Sequence, residues 1–182
     1  MDNGASSYRR YLDGDDSAFD EIVKELFDSL VFFIGRYVAD VHTAEDIAID
    51  AFTELIVHKG RFDFRVSLKT YLFMIGRSRA LNYIKRRKRI AMEPLSEAEQ
   101  IRDQQTLEEL VLTDERKRAV NSALEKLPEE MRLAVHLVYF EGFSYEETAK
   151  VMKKTKKQVD NLLYRSKKAL RAILGEEGAS LL

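Results

Sequence analysis

Apolar side chains recur along this chain at intervals of three and four residues, the spacing that lays them on one face of an α-helix. Phe19, Ile22, Val23, Leu26, Leu30, Phe33, Ile34, Tyr37 and Val38 keep that rhythm behind Asp15 or Asp16, either of which is placed to cap a first long helix. A second helix is predicted to open at Thr43, with Asp46 three residues on, and to bury Ile47, Ala48, Ala51, Phe52, Leu55 and Ile56. Ser67 caps a third, with Leu68, Tyr71, Leu72, Ile75, Ala80 and Ile84 inward. A further helix runs from Glu115 to Leu127 on Val120, Leu124 and Leu127. Pro128 then takes the first position of the next, which extends to Phe140 with Met131, Ala134, Val135, Val138 and Tyr139 apolar.

The stretch Ser144 to Leu174 holds two helix start signals. Ser144 with Glu147, and Thr155 with Gln158, have the spacing at which a hydroxyl accepts from an amide while the longer side chain reaches back. A short helix therefore hands over to a longer one through a turn at Lys153 to Thr155. Ala149, Met152, Val159, Leu162 and Leu170 fall on facing sides, which is the layout of a helix-turn-helix.

Charge sharpens this picture. Residues 150–171 carry nine Lys or Arg against the single acid Asp160. Several of the cations sit at the start of the second helix, where free N–H groups already favour phosphate. Duplex DNA is the partner this implies, with a lysine-rich helix pair used only for packing as the alternative. The whole chain is close to neutral at −1, but its charges are segregated: −8 over residues 1–60, +9 over 61–89, −7 over 90–115 and +5 over 116–182. Two basic blocks parted by an acidic one imply two anionic contacts, or one long anion spanned by two modules.

Between the second and third helices, K-G-R-F-D-F-R-V-S at 59–67 reads as a loop that interleaves aromatics with cations. Bases of a single strand could stack on Phe62 or Phe64 while Arg61 and Arg65 hold phosphates, at roughly 1–3 kcal/mol per stacked base. The third helix offers Arg77, Arg79, Asn82, Lys85 and Arg86 on its exposed side and ends in K-R-R-K-R. The second helix carries the opposite sign. Glu45, Asp46, Asp50 and Glu54 form an acidic stripe whose mutual repulsion a cationic partner would relieve.

The remaining composition excludes several classes. Two prolines and eight glycines in 182 residues leave helical runs nearly uninterrupted, so an all-α protein of two small helical domains is expected. Their expected bounds are 1–89 and 115–175, joined by an acidic linker at 90–114 and followed by a tail at 176–182. Within the linker, Ser96 with Glu99 could cap a helix. Without cysteine there is neither a disulfide nor a thiolate metal site, and His42, His58 and His136 stand singly, as surface or boundary histidines. No cofactor, metal site or catalytic residue is expected, because the carboxylates lie on helical stripes with no clustered histidines or glycine-rich loop. No apolar run approaches eighteen residues, so the protein is expected to be cytoplasmic, without insertion in a membrane.

Four segments together resemble bacterial RNA polymerase sigma factors of the extracytoplasmic-function group: G-D-D-S-A-F (14–19), A-E-D-I-A-I-D-A-F (44–52), S-L-K-T-Y-L-F-M-I-G-R-S-R-A-L-N-Y-I-K-R-R-K-R (67–89) and L-P-E-E-M-R-L-A-V-H-L-V-Y-F-E-G-F-S-Y-E-E-T-A (127–149). They occur in the family's order and leave only the linker and tail outside. The resemblance implies core RNA polymerase, through its clamp and flap, and promoter DNA as partners, and an anti-sigma factor besides. It implies that Glu45, Asp46, Ile49, Asp50 and Phe52 make or support the clamp contact. It gives Arg61, Phe62, Phe64, Arg65, Tyr71, Arg77, Arg79, Asn82, Lys85 and Arg86 to the minus-ten element, where the 59–67 loop captures a flipped base. It gives Lys154, Thr155, Lys156, Lys157, Gln158, Asn161, Arg165 and Lys168 to the major groove of the minus-thirty-five element.

Some positions depart from the family pattern. Lys153 stands where the turn usually has glycine, at a cost of about 1–2 kcal/mol if that residue is left-handed. Asp160 and Leu162 occupy places that are often basic, Ile49 replaces a common glutamine and Tyr71 a frequent tryptophan. These bear on which upstream sequence is read and how tightly. The competing reading of the whole chain is a stand-alone helix-turn-helix regulator with an N-terminal sensing or dimerisation domain, which would bind paired half-sites without polymerase.

Overall fold

The computed structural model describes residues 4–38, 40–91 and 115–178, which form helices and connecting loops with no strand among them. The chain divides into two units, Met1–Leu107 and Glu108–Leu182. Of the expected linker at 90–114, residues 90 and 91 are helical, whereas 92–114 with the Ser96 cap, and the last tail residues from 179, lie outside the described residues.

The first unit opens with a helix the apolar pattern did not announce, α1 (Ala5–Leu12). Its inward residues are Tyr8 and Tyr11, too few for a periodicity to show, yet Tyr8 is fully buried. The next helix, α2 (Ser17–Gly35), has neither acid as a side-chain cap. Asp16 stands at the cap position without such a bond, and the Asp15 carboxylate is taken by Ser17 and Arg10. Gly35 ends the helix, so Tyr37 and Val38 lie in the loop beyond it. The start of α3 (Val41–Val57) is set by Asp40 rather than Thr43, because the Asp40 carboxylate accepts from the Thr43 amide at 2.8 Å. Ile56, expected inside, is exposed.

Ser67 caps α4 (Leu68–Ala91) as its position predicts, accepting from the Thr70 amide at 3.1 Å. The core joins Leu26, Leu30, Phe33 and Ile34 of α2 to Ala48 and Leu55 of α3 and to Leu68, Leu72 and Phe73 of α4. Gly76 permits the close approach of α4 to α2: a Cβ there would meet Leu30 at 3.0 Å and Ile34 at 3.2 Å.

In the second unit, α5 (Glu115–Glu125) stops short of Leu127, whose amide turns back onto the Leu124 carbonyl. Pro128 is the residue before α6 (Glu129–Val135), not its first: its ψ of 143° is extended. The helix then widens into a π-turn at His136–Phe140, closed by the Glu141 amide on the His136 carbonyl at 3.1 Å. His136 is buried rather than the surface or boundary histidine expected, with Nε2 3.3 Å from the Glu141 carboxylate. Gly142, at φ 71°, reverses the chain into Ser144.

Both predicted capping boxes are present. Ser144 and Glu147 exchange bonds at the start of α7 (Tyr145–Met152). Thr155 and Gln158 do the same at the start of α8 (Lys156–Gly178). Gly175 does not stop α8, which runs through the first residues of the expected tail. Ala149, Val151 and Met152 of α7 pack with Val159, Leu163 and Leu170 of α8 to form the core. Among the described residues no helix is long and apolar enough to cross a membrane.

Candidate nucleic-acid interface

In the first unit the aromatic loop is held from inside. A 3₁₀ turn at Lys59–Arg61 leads to Phe62, which is 4% exposed. Its ring lies 5.6 Å from Tyr8, 4.6 Å from Phe64 and 5.2 Å from Tyr71. Phe62 is therefore the loop's anchor and presents no face to a base, which corrects its expected stacking role; of the rings around it, Tyr8 is far away in sequence. Phe64 remains half-buried at the surface, its backbone left-handed at φ 59° and its ring under the Arg9 guanidinium at 4.8 Å. Arg65 is exposed and pairs with Asp63.

Along α4, Asn82, Lys85 and Arg86 are exposed, whereas Tyr71, Arg77 and Arg79 are half-buried. Arg79 spends its terminal nitrogens on α3, at 2.8 Å from Glu54 and 3.3 Å from Asp50, and Arg61 reaches Glu54 at 3.1 Å. Two of the expected minus-ten contacts thus face the acidic stripe. Burial pushes the Glu54 carboxyl up, but bonds from Arg79 and Arg61 outweigh it and hold the group below its ordinary value. On the rest of the stripe Asp46, Ile49 and Asp50 are exposed and Glu45 is half-buried beside His42. Phe52 is buried against Phe19 and Phe27, so it supports that surface without joining it. Tyr83 was missed by sequence reasoning. It is exposed one turn from Arg86 and Arg87, and a helical wheel of the basic run is the signal that finds it.

In the second unit Lys153 adopts the left-handed conformation at φ 53°, ψ 47° that its place in the turn requires. Lys154 is tied to Glu130 at 2.7 Å and Lys156 to Glu146, so both brace the start of α8 on its neighbours. Thr155 and Gln158 are engaged with each other in the cap. Lys157, Asn161, Arg165 and Lys168 lie exposed along α8. With them stands Tyr164, 71% exposed, at the spacing that places it on their face; it was not among the expected contacts. Leu162 is a core residue, 8% exposed, so its departure from a basic residue serves packing, whereas Asp160 is exposed on the cationic helix.

Fold and surface define a two-unit, all-helical DNA-binding protein, with an acidic helix ahead of an aromatic and basic one in the first unit and a cationic helix-turn-helix in the second. The sigma-70 region 2 family model matches residues 22–90, and the sigma-70 region 4 model matches residues 117–170. The RNA polymerase sigma-H factor of Pseudomonas aeruginosa is 30% identical over 166 residues, covering 86% of each chain. The extracytoplasmic-function sigma factor SigX of Bacillus subtilis is 28% identical, over 76% of this chain and 74% of its own. Among solved structures, the sigma factor RpoE of Bartonella quintana, crystallised with the anti-sigma factor NepR, superposes with a TM-score of 0.63 at 19% identity, over 86% of this chain and 96% of its own. This chain belongs to the sigma-70 family, in its extracytoplasmic-function group.

Proposed function

We propose that this sigma factor carries core RNA polymerase to its promoters by dividing the work between two domains, residues 1–89 and 115–175. In the first, α3 offers Glu45, Asp46, Ile49 and Asp50 to a cationic surface of the polymerase clamp, with Phe52 fixing the helix from beneath. The aromatic loop and α4 then hold the opened minus-ten strand. Phe64 stacks on an extruded base, and Arg65, Asn82, Lys85 and Arg86 follow the backbone, with Tyr83 as a second stacking face. Such stacking offsets an unstacking cost of roughly a few kcal/mol per base step.

The second domain grips closed duplex upstream. Lys157, Asn161, Tyr164, Arg165 and Lys168 of α8 enter the major groove of the minus-thirty-five element, while Lys154, Lys156, Thr155 and Gln158 set the helix at its entry. An anti-sigma factor that covers these surfaces belongs to the same reading, as does action in the cytoplasm where polymerase works. The chain contributes binding energy, and the polymerase performs the chemistry.

One observation carries the assignment of sites: a helix-turn-helix with an exposed cationic second helix shares its chain with an aromatic loop that feeds a separate basic helix. Run-off transcription with purified core polymerase on a promoter library tests it. Promoter-specific transcripts that require this chain are expected. Transcription that starts equally well without it, or specific binding to paired half-sites by a dimer without polymerase, would overturn it.

A further inference from the structure

Four charged side chains that the sequence divides between two partners are found paired with one another. Glu54 is 18% exposed and accepts from Arg61 at 3.1 Å through one oxygen and from Arg79 at 2.8 Å through the other. Arg79 also reaches Asp50 at 3.3 Å. Arg61 belongs to the aromatic loop and Arg79 to α4, so one carboxylate on α3 joins both parts of the melted-strand surface. A carboxylate and a phosphate can each offer a guanidinium two oxygens. Glu54 therefore occupies one terminal nitrogen of each guanidinium, a donor a phosphate could use.

We propose that Glu54 is a positioning residue that stands in for DNA phosphate, masking Arg61 and Arg79 in the free protein until a single strand displaces it. The proposal deepens the reading of the first domain as the binder of opened DNA, and rests on it. Partly exposed ion pairs are weak, so the exchange is reversible and modest in size. A cationic polymerase surface docking on Asp50 would weaken the hold on Arg79 and so favour the exchange in the holoenzyme.

The test uses the full-length chain without polymerase and a fluorescently labelled oligothymidylate, read by anisotropy over a salt series. E54Q should bind about three- to tenfold more tightly than wild type. Unmasking two cations should steepen the plot of log affinity against log salt by about 1.4, at about 0.7 per phosphate on a single strand. In a chain already carrying R61Q and R79Q, E54Q should change neither quantity. A loss of a merely structural carboxylate would not steepen the salt plot or depend on both arginines. Should E54Q fail to fold, the exposed D50N removes the longer of the two carboxylate contacts of Arg79 and should give a smaller tightening in the same direction.

Equal or weaker binding by the variants would overturn the proposal. Wild-type run-off transcription separates the two failures. If wild type directs initiation but E54Q does not tighten, only the masking is wrong; if E54Q tightens while wild type directs no initiation, the sigma-factor site assignment is wrong.

Discussion

The hydroxyl of Tyr8 donates to the main-chain carbonyl of Leu55 across 3.0 Å, joining residues 47 apart in the chain. The bond ties α1 to the end of α3, where the aromatic loop departs, and the same hydroxyl lies 3.4 Å from the Lys59 carbonyl. Burial, helped by neighbouring Tyr11, pushes the Tyr8 phenol up to about 12, so it is a neutral donor at any working pH. Around it Phe62, Phe64 and Tyr11 form an aromatic cluster that fixes the loop before any DNA arrives.

Tyr8→Phe should therefore cost about 1 kcal/mol, since it leaves a buried carbonyl short of a donor. Tyr8→Ala should cost about 3–5 kcal/mol because it also empties the ring's cavity. Urea unfolding gives both values, and equal losses for the two variants would mean the ring adds nothing to packing.

Phe62 and Phe64 should separate stability from binding. Phe62→Ala is expected to lose about 3–5 kcal/mol of stability. Phe64→Ala should lose far less stability but weaken holoenzyme binding to a forked, partly opened promoter by about 1–3 kcal/mol. Unfolding curves set beside fork-DNA titrations check this pairing, and the reverse pattern would return base stacking to Phe62.

Lys153→Gly should stabilise the second unit by about 1 kcal/mol, because a side chain held at φ 53° carries strain that glycine does not. Part of the gain is offset by glycine's freedom in the unfolded chain. Thermal unfolding is the measurement, and a lower Tm for the glycine variant would show that the left-handed turn is relaxed.

On α8, residues with different partners should fail differently. If Lys168 holds a phosphate, Lys168→Ala is expected to weaken all duplexes alike and reduce the salt slope by about 0.9. If Asn161 reads a base edge, Asn161→Ala should cost about 1–3 kcal/mol on the preferred minus-thirty-five sequence and little on others. Competition binding of the holoenzyme against a library of upstream elements distinguishes them.

Glu54 sets a pH dependence. Its folded carboxyl ionises below the ordinary value of 4.5, so the stability it contributes is complete above that value and is lost as pH falls through the folded one. The difference in unfolding free energy between wild type and E54Q should be largest at neutral pH and close at pH values below 4.5. A gap that widens on acidification would mean the arginines do not hold the ionised form.

The predicted elements that formed as written are those whose cause lies within one helical turn. Ser67 with Thr70, Ser144 with Glu147, and Thr155 with Gln158 each close a bond over three residues, so the residues alone announce the helix start. The all-helical class, the helix-turn-helix and the two basic surfaces were legible for the same reason: each is a pattern repeated along one helix. Arg61, Arg65 and Phe64 were legible as members of one loop, but not which of its aromatics would face solvent.

Contacts between distant segments decided the rest. Tyr8 draws Phe62 inward, Glu54 turns Arg61 and Arg79 toward α3, and Glu141 takes a buried His136 that looked like a surface or boundary residue. The capping pairs that formed satisfy their hydrogen bonds within three residues, and so they could be read from residue types alone. Which aromatic is buried, and which cation is answered from within, depends on what the folded chain brings alongside, because burial and ion pairing are properties of neighbours in space.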